Sequence, residues 1–356
     1  MQRRNVSLCS CVVTPIKPRL ADVAKAAGVS IATASKALNG RSDVSATTRR
    51  NVLAAASRVG YEPGAYGDAE YPLIALVADE LMTTYTLEVI RGAATSAIEA
   101  GVGLLTLYTP PEQVKRVPVP LSDEWFDILR TRHFVGVIVL TAELSEHQLG
   151  KAAQTGIEMV VIDPANPLPS TATSIGSTNW NGGVEATQHL VDLGHRRIAF
   201  VGGPEKSVPS RERFQGYLSG HAMNGITPDP DLVRGSDYSR ESGLKAATEL
   251  LKLPPRTRPT AVFAVADNAA LGVYEAARRM GLSVPDDLSV VGFDDSLIAR
   301  NATPGLTTIH QSLEGMGSTA VRTLIDRAAG RPSTTGPIRL ATRLVVREST
   351  APPVTR

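Results

Sequence analysis

The chain has 356 residues, 42% of them apolar and 20% charged, with a formal net charge of +2, which is room for two or three domains with sizeable cores. Only 2 Trp, 8 Tyr and 6 Phe are present, so those cores are built mostly from Ala, Val, Leu and Ile. No apolar run approaches the ~18 residues of a membrane-spanning helix. The two cysteines, Cys9 and Cys11, stand one residue apart and can neither cross-link distant segments nor make up a zinc site; no metal, cofactor or membrane partner is expected.

Residues 1–18 read as a disordered extension. Arg3 and Arg4 precede the stretch Val6–Val13, superficially like a secretory signal, but that stretch is short, interrupted by serine and without a small-residue cleavage site. A cytoplasmic location is expected. Charge is unevenly placed. Between Met1 and Ala65, ten basic residues face three acids (Asp22, Asp43, Glu62), giving +7 and leaving −5 of the total of +2 to the rest of the chain. A basic module on a mildly acidic body points to an anionic partner for the module, or else to a solvated basic face.

Residues 19–62 read as three short helices. Leu20–Ala27 is stopped by Gly28, suited to the left-handed turn after a helix. Ser30 then caps Ile31–Leu38, which Asn39-Gly40 ends, and Ser45 caps a third helix with Val52, Leu53, Ala56 and Val59 at helical spacing. Two helices joined by a glycine turn and braced by a third make a helix-turn-helix. Ala24, Gly28 and Val29 fit its crowded corner.

The string Asp22-Val23-Ala24-Lys25-Ala26-Ala27-Gly28-Val29-Ser30, followed by Ser35-Lys36-Ala37-Leu38-Asn39-Gly40, Val44-Ser45 and Gly60-Tyr61, resembles the DNA-binding head of the lactose/galactose-repressor (LacI/GalR) family. In such a head the second helix lies in the major groove. The resemblance places Ile31, Ala32, Thr33, Ser35 and Lys36 at base edges. Ile31 and Ala32 are limited to apolar contacts such as a thymine methyl, while Lys36 suits a guanine edge or a phosphate. Asn39, Ser45 and Thr48 suit phosphates. The alternatives are that Ile31 packs on the first helix and that Thr33 is a core-facing turn residue.

Residues 63–72, Pro-Gly-Ala-Tyr-Gly-Asp-Ala-Glu-Tyr-Pro, read as a flexible linker. Two prolines, two glycines and two acids disfavour a helix. The family's usual hinge helix wedges a leucine into the minor groove, and this segment has none.

From 73 to 350, apolar runs alternate with helical segments. Leu73–Ala78, Leu104–Tyr108, Val135–Leu140, Met159–Asp163, Ile198–Gly202, Thr260–Val265 and Ser289–Phe293 are the strands; helices fall near 87–100, 122–132, 145–154, 183–193, 211–224, 241–251, 269–280 and 312–329. Continuous apolar strands between helices predict parallel sheets covered on both faces, here two doubly wound α/β lobes. Gly194-His195-Arg196-Arg197-Ile198, Arg211-Glu212-Arg213-Phe214-Gln215-Gly216 and Gly292-Phe293-Asp294-Asp295 resemble the family's effector domain, itself similar to periplasmic sugar-binding proteins. His195 is read as lying in a surface turn. The tail, 351–356, lacks the apolar heptads of a tetramerisation seam, so a homodimer is expected.

By resemblance, effector contacts fall just beyond strand ends: Tyr85, Asp163, Arg211, Tyr238, Asp267 and Asp294. The alternatives are local: Asp163 shaping a turn beside Pro164, Arg211 pairing with a surface acid, Tyr238 in ordinary packing, Asp294 and Asp295 capping turns. Two departures from the family are Ala266 where an amide commonly precedes the aspartate, and Pro164 where a base often follows Asp163; the loop from Asp79 to Arg91 is one residue longer than usual. The sequence thus implies a regulator, read as a repressor, that binds palindromic operator DNA and answers to a small polar effector, a sugar first and a nucleoside or another polar metabolite second. A solute receptor without DNA-binding activity is the alternative. An enzyme is not expected, because Val201-Gly202-Gly203-Pro204 lacks a phosphate-cradling pattern and no catalytic constellation appears.

Overall fold

The computed structural model describes residues 20–38, 41, 44–59, 72–109, 119–132 and 134–354. The extension 1–18, Asn39 and all of the linker but Pro72 lie outside them. The chain divides into two compact units, Met1–Tyr71 and Pro72–Arg356.

The first unit holds α1 (Leu20–Ala27), α2 (Ile31–Leu38) and α3 (Ala46–Val59). Their common core is Leu20, Val23, Ala24, Ala34, Ala37, Val52, Ala55 and Ala56; with four of the eight contributed by α1 and α2 as alanine or valine, the backbones approach closely. Ser30 and Ser45 cap α2 and α3, each accepting at 3.1 Å from the backbone N–H three residues on, an arrangement that stabilises a helix start by about 1 kcal/mol. Gly28 ends α1 at φ +68°, and Val29 N–H closes the turn on Ala24 O at 3.0 Å. A Cβ at Gly28 would meet nothing within 4 Å. Glycine is needed there for its left-handed backbone rather than for the crowding expected from sequence, which belongs instead to buried Ala24.

The second unit is two six-stranded lobes. Lobe 1 holds β1 (Leu73–Ala78), α4 (Thr84–Glu99), β2 (Gly103–Tyr108), α5 (Asp123–Thr131), β3 (Phe134–Leu140), α6 (Glu146–Thr155), β4 (Glu158–Ile162) and β5 (Ser174–Ser177). Lobe 2 holds α7 (Asn179–Asp192), β6 (Ile198–Val201), α8 (Val208–Met223), β7 (Val233–Arg234), α9 (Arg240–Leu251), β8 (Ala261–Ala264), α10 (Asp267–Arg279), β9 (Ser289–Asp294), α11 (Leu297–Asn301) and β10 (Thr307–His310). The chain then returns through α12 (Leu313–Ala328) and β11 (Pro337–Leu340) to lobe 1 and finishes in lobe 2 with β12 (Arg343–Val345). Strand orders are β11-β5-β4-β3-β1-β2 and β12-β10-β9-β8-β6-β7. All pairings are parallel except β10 with β12. The chain therefore passes between lobes three times, and the first and third passes are tied together: Thr178 N–H donates to Leu340 O and Thr342 N–H to Thr178 Oγ1.

The principal helix pairs meet at glycines. A Cβ on Gly216 would come within 2.3 Å of Trp180 O, one on Gly317 within 2.1 Å of Val89 O, and one on Gly272 within 2.2 Å of Arg240 O. These three contacts join α8 to α7, α12 to α4 and α10 to the start of α9, so the layers flanking each sheet lock by backbone proximity rather than by large side chains. Lobe 2 also contains an aromatic cluster in which Phe200 lies 5.2–5.3 Å from Phe214, Tyr217 and Phe263. No helix among the described residues is long and apolar enough to cross a membrane.

Candidate functional site

A cavity of about 910 Å³ opens at the carboxyl ends of the strands of both sheets, lined by lobe 1 (Tyr85, Thr141, Asp163) and lobe 2 (Ser207, Arg213, Tyr238, Asp294) among others. This is where parallel α/β sheets bind ligands. Two buried carboxylates face it. Asp163 follows β4 at φ +44° and Asp294 ends β9 at φ +119°, left-handed conformations that non-glycine residues adopt under constraint and that cluster at ligand sites. Each is held by a different partner.

In lobe 1, Tyr85 at the start of α4 donates its hydroxyl to Asp163 Oδ2 at 2.6 Å. Asp163 is buried, and its Oδ1 has no partner among the described residues. Burial raises the Asp163 pKa against the pull of Arg213 and the Tyr85 hydroxyl. Burial and the adjacent carboxylate push Tyr85 well above the usual phenol range, so it remains a donor.

In lobe 2, Arg213 on α8 is 3% exposed. Its Nε donates to Asn179 Oδ1 at 2.8 Å, its Nη1 to Val265 O at 2.7 Å, and its guanidinium lies 3.7 Å over the Phe293 ring and 3.6 Å from Asp294 Oδ1. Gln311 donates a further 2.6 Å bond to Asp294 Oδ1. Burial still holds Asp294 well above the ordinary carboxylate range, with Arg213 opposing. Tyr238 shares a 2.6 Å hydrogen bond with Ser207 Oγ and packs beside Gly203, an aromatic face with its polar end secured.

Of the six sequence-predicted effector residues, Tyr85, Asp163, Tyr238 and Asp294 line the cavity, and two do not. Arg211 is exposed and off the lining; the arginine in the cleft is Arg213, two residues on and about 200° around the helix. Asp267 is wholly buried at the start of α10, where it accepts from Ser296 N–H and Oγ at 2.8 Å and from Thr308 Oγ1 at 2.6 Å. It binds α11's start to β10 and is a positioning residue, while Ala266 and Asn268 on either side reach the lining. His195 is likewise no surface residue: 1% exposed, it bonds Thr260 through Nδ1 and Ser289 and Ala351 O through Nε2. The signal for Arg213 was in its helix, because Ser210, Arg213, Gly216, Tyr217 and Gly220 form the buried face. Asn179 and Gln311, which orient the charged pair, carry no such signal.

In the first unit, α2 buries Ala34 and Ala37 and turns Ile31, Ala32 and Lys36 outward. Ile31 is 55% exposed, so the alternative of packing on α1 does not describe it. Thr33 and Ser35 are half-buried, Thr33 Oγ1 lying 2.8 Å from the capping Ser30 hydroxyl. Ser45 and Thr48 are paired in the cap of α3 at 2.8 Å.

Residues 19–64 match the family of bacterial regulatory proteins, lacI family, and residues 187–350 match a periplasmic binding protein-like domain. The chain is 33% identical over 348 residues to the HTH-type transcriptional regulator DegA of Bacillus subtilis, covering 95% of this chain and 99% of that one. Among solved structures, the Lac repressor bound to ONPG in the repressed state matches with a TM-score of 0.75 at 30% identity, over 94% of this chain and all of that one. The transcriptional regulator CelR in complex with cellobiose matches at 0.70 and 32%, over 93% and 99%.

Proposed function

The chain belongs to the lacI family of bacterial regulatory proteins, and from that premise we propose that its first unit reads palindromic operator DNA as one half of a homodimer while a sugar bound between its two lobes sets the DNA affinity. On the DNA side, the outward face of α2 supplies Ile31 and Ala32 for apolar contact with thymine methyls and Lys36 for a guanine edge or a phosphate. Ser45 and Thr48, with Asn39, supply sequence-independent phosphate contacts that fix register. Two-fold symmetric DNA then mirrors the two-fold axis of the dimer.

On the sensor side, the observation that carries the reading is the pair of buried carboxylates, Asp163 and Asp294, presented from opposite lobes beside Arg213 and Tyr238. Carboxylates accept from sugar hydroxyls, an arginine edge donates to them, and an aromatic face covers ring C–H groups. A ligand touching both lobes favours their closed arrangement over the open one by its difference in affinity for the two, and that difference is all it can pass to the DNA.

The test is fluorescence anisotropy with duplexes selected from a random pool. A palindromic consensus bound at least a hundredfold more tightly than shuffled duplex is expected, with Lys36→Ala weakening binding about tenfold. Equal affinity for palindromic and shuffled DNA would refute the operator reading.

A further inference from the structure

The polar groups of the cleft are unequally committed. Arg213 is its only buried cation among the described residues, and its charge is already matched within the protein: Nε donates to Asn179, Nη1 donates to Val265 O, Asp294 Oδ1 lies 3.6 Å away and the Phe293 ring covers one face. Acceptors outnumber donors here: the Asp163 carboxyl has one donor, the Tyr85 hydroxyl, and its Oδ1, buried beside Gly176, has none among the described residues. Asp79, Glu80, Glu143 and Asp237 add acids around the outer lining, against Lys206 and Arg240 at the exposed rim. A ligand entering here meets six carboxyl groups, two of them buried, against three cations, of which the one buried, Arg213, lies beside Asp294.

We infer that the cleft selects an uncharged, hydroxyl-rich glycoside and rejects its phosphorylated or carboxylated counterparts, with the buried Asp163 and Asp294 as the discriminating residues. The inference rests on the reading of the cleft as a sugar site. A hydroxyl donates to a carboxylate of the lining without adding charge. A phosphate or carboxylate of similar size brings a like charge beside two carboxyls in a poorly solvated site. Burial already holds both carboxyls above their ordinary range, which is the signature of a place where further negative charge is disfavoured. The outer acids act in the same direction over longer range, screened by salt.

The experiment is a thermal-shift and calorimetric panel on the full-length chain at fixed ionic strength, using glucose, cellobiose, maltose, lactose and trehalose, each beside a 6-phosphate or aldonate derivative. The expected result is that a neutral member raises Tm and its anionic counterpart binds at least a hundredfold more weakly. A second arm uses Asp163→Asn, which supplies an amide donor and removes a charge: the anionic counterpart is expected to gain at least tenfold relative to the neutral parent. An anionic member that binds wild-type protein as well as its parent overturns the inference and leaves a sugar-controlled regulator standing. If no member of either class shifts Tm while palindromic DNA is still bound, the sugar reading and this inference fall together and the operator reading survives.

Discussion

The two lobes are built to one plan and finished differently. Their strand orders correspond position by position, so β4 occupies in lobe 1 the place of β9 in lobe 2, and α4 follows β1 as α8 follows β6. Each lobe therefore presents a carboxylate from the equivalent strand end, Asp163 or Asp294, and meets it with a side chain from the equivalent helix, Tyr85 or Arg213. The difference lies in how fully that carboxylate is held. Lobe 2 surrounds Asp294 with a guanidinium fixed on three sides and with Gln311, whereas lobe 1 gives Asp163 one phenol and leaves an oxygen without a donor. A shared topology thus yields one carboxylate braced by several side chains and one held by a single phenol.

The comparison breaks most readily at Arg213. Arg213→Met keeps apolar contact with Phe293 but leaves Asp294, Asn179 and Val265 O short of donors. Removing one partner of a buried ion pair costs about 3–5 kcal/mol, so urea denaturation should show a loss of that size together with loss of any effector response. A cost below about 1 kcal/mol would mean that lobe 2 is no more preorganised than lobe 1.

The buried acid behind Asp294 gives the next largest effect. Desolvation pushes Asp267 up to about 7 in spite of its hydroxyl and N–H donors, while an unfolded carboxyl titrates near 4. The folded state thus binds this proton more tightly, so the contribution to stability is full below about pH 4 and is lost as pH rises to about 7, on the order of 4 kcal/mol at most. His189, His195 and His221 slope the other way, because burial lowers their pKa values and their contribution is lost as pH falls below about 6.5. Asp267→Asn removes this acid together with its upward push on Asp294, and both changes act in one direction: the variant should lose less stability than wild type between pH 5 and pH 7.

Much of this plan is legible in the sequence, and the parts that are not share a physical cause. The three head helices, seven apolar strands and the double winding follow from periodicity and caps. The short strand β5, Ser-Ile-Gly-Ser, escapes because it is fully buried yet carries only one large apolar residue, and β12 because a three-residue antiparallel edge strand has too little pattern to see. For the site, the family resemblance reaches the level of strand ends, where it implies Asp163 and Asp294. It failed at Arg211 and Asp267, where the choice depends on helix phase and on which neighbour fills the core. Two arginines two residues apart point to nearly opposite sides of a helix, and small residues rather than large apolar ones mark the buried side of α8.

Tyr85→Phe sharpens the lobe 1 half of the comparison. It deletes the one donor to Asp163 without changing the packing of the ring, and a hydrogen bond to a charged group contributes roughly 1.5–3 kcal/mol. Asp163 already has a raised pKa, and losing the phenol raises it further. The destabilisation should therefore be greater at pH 8, where the carboxylate must ionise, than at pH 5. Equal destabilisation at both values would mean that the phenol donates to a carboxyl that stays protonated throughout.

The smallest effect belongs to one of the ion pairs that join the lobes. Arg339 on β11 lies 3.7 Å from Glu212 on α8, and Glu212 in turn accepts from Asn179, which accepts from Arg213. Arg339 also acts on Asp163 from the lobe 1 side, lowering its pKa. The route from one carboxylate to the other thus runs behind the cavity through four side chains. Both ends of the ion pair are about one-third exposed, so the pair itself contributes only about 0.2–1 kcal/mol, and Glu212→Gln should barely move the melting curve. Its effect should appear in coupling instead. If the lobes communicate through this chain, Glu212→Gln and Arg339→Gln will change the ratio of operator affinities measured with and without a panel sugar that binds. The double variant will then change it no more than either single one, because both remove the same link. Additive changes would show that the two residues act on the cleft separately, and that the asymmetry of the two lobes is not transmitted between them.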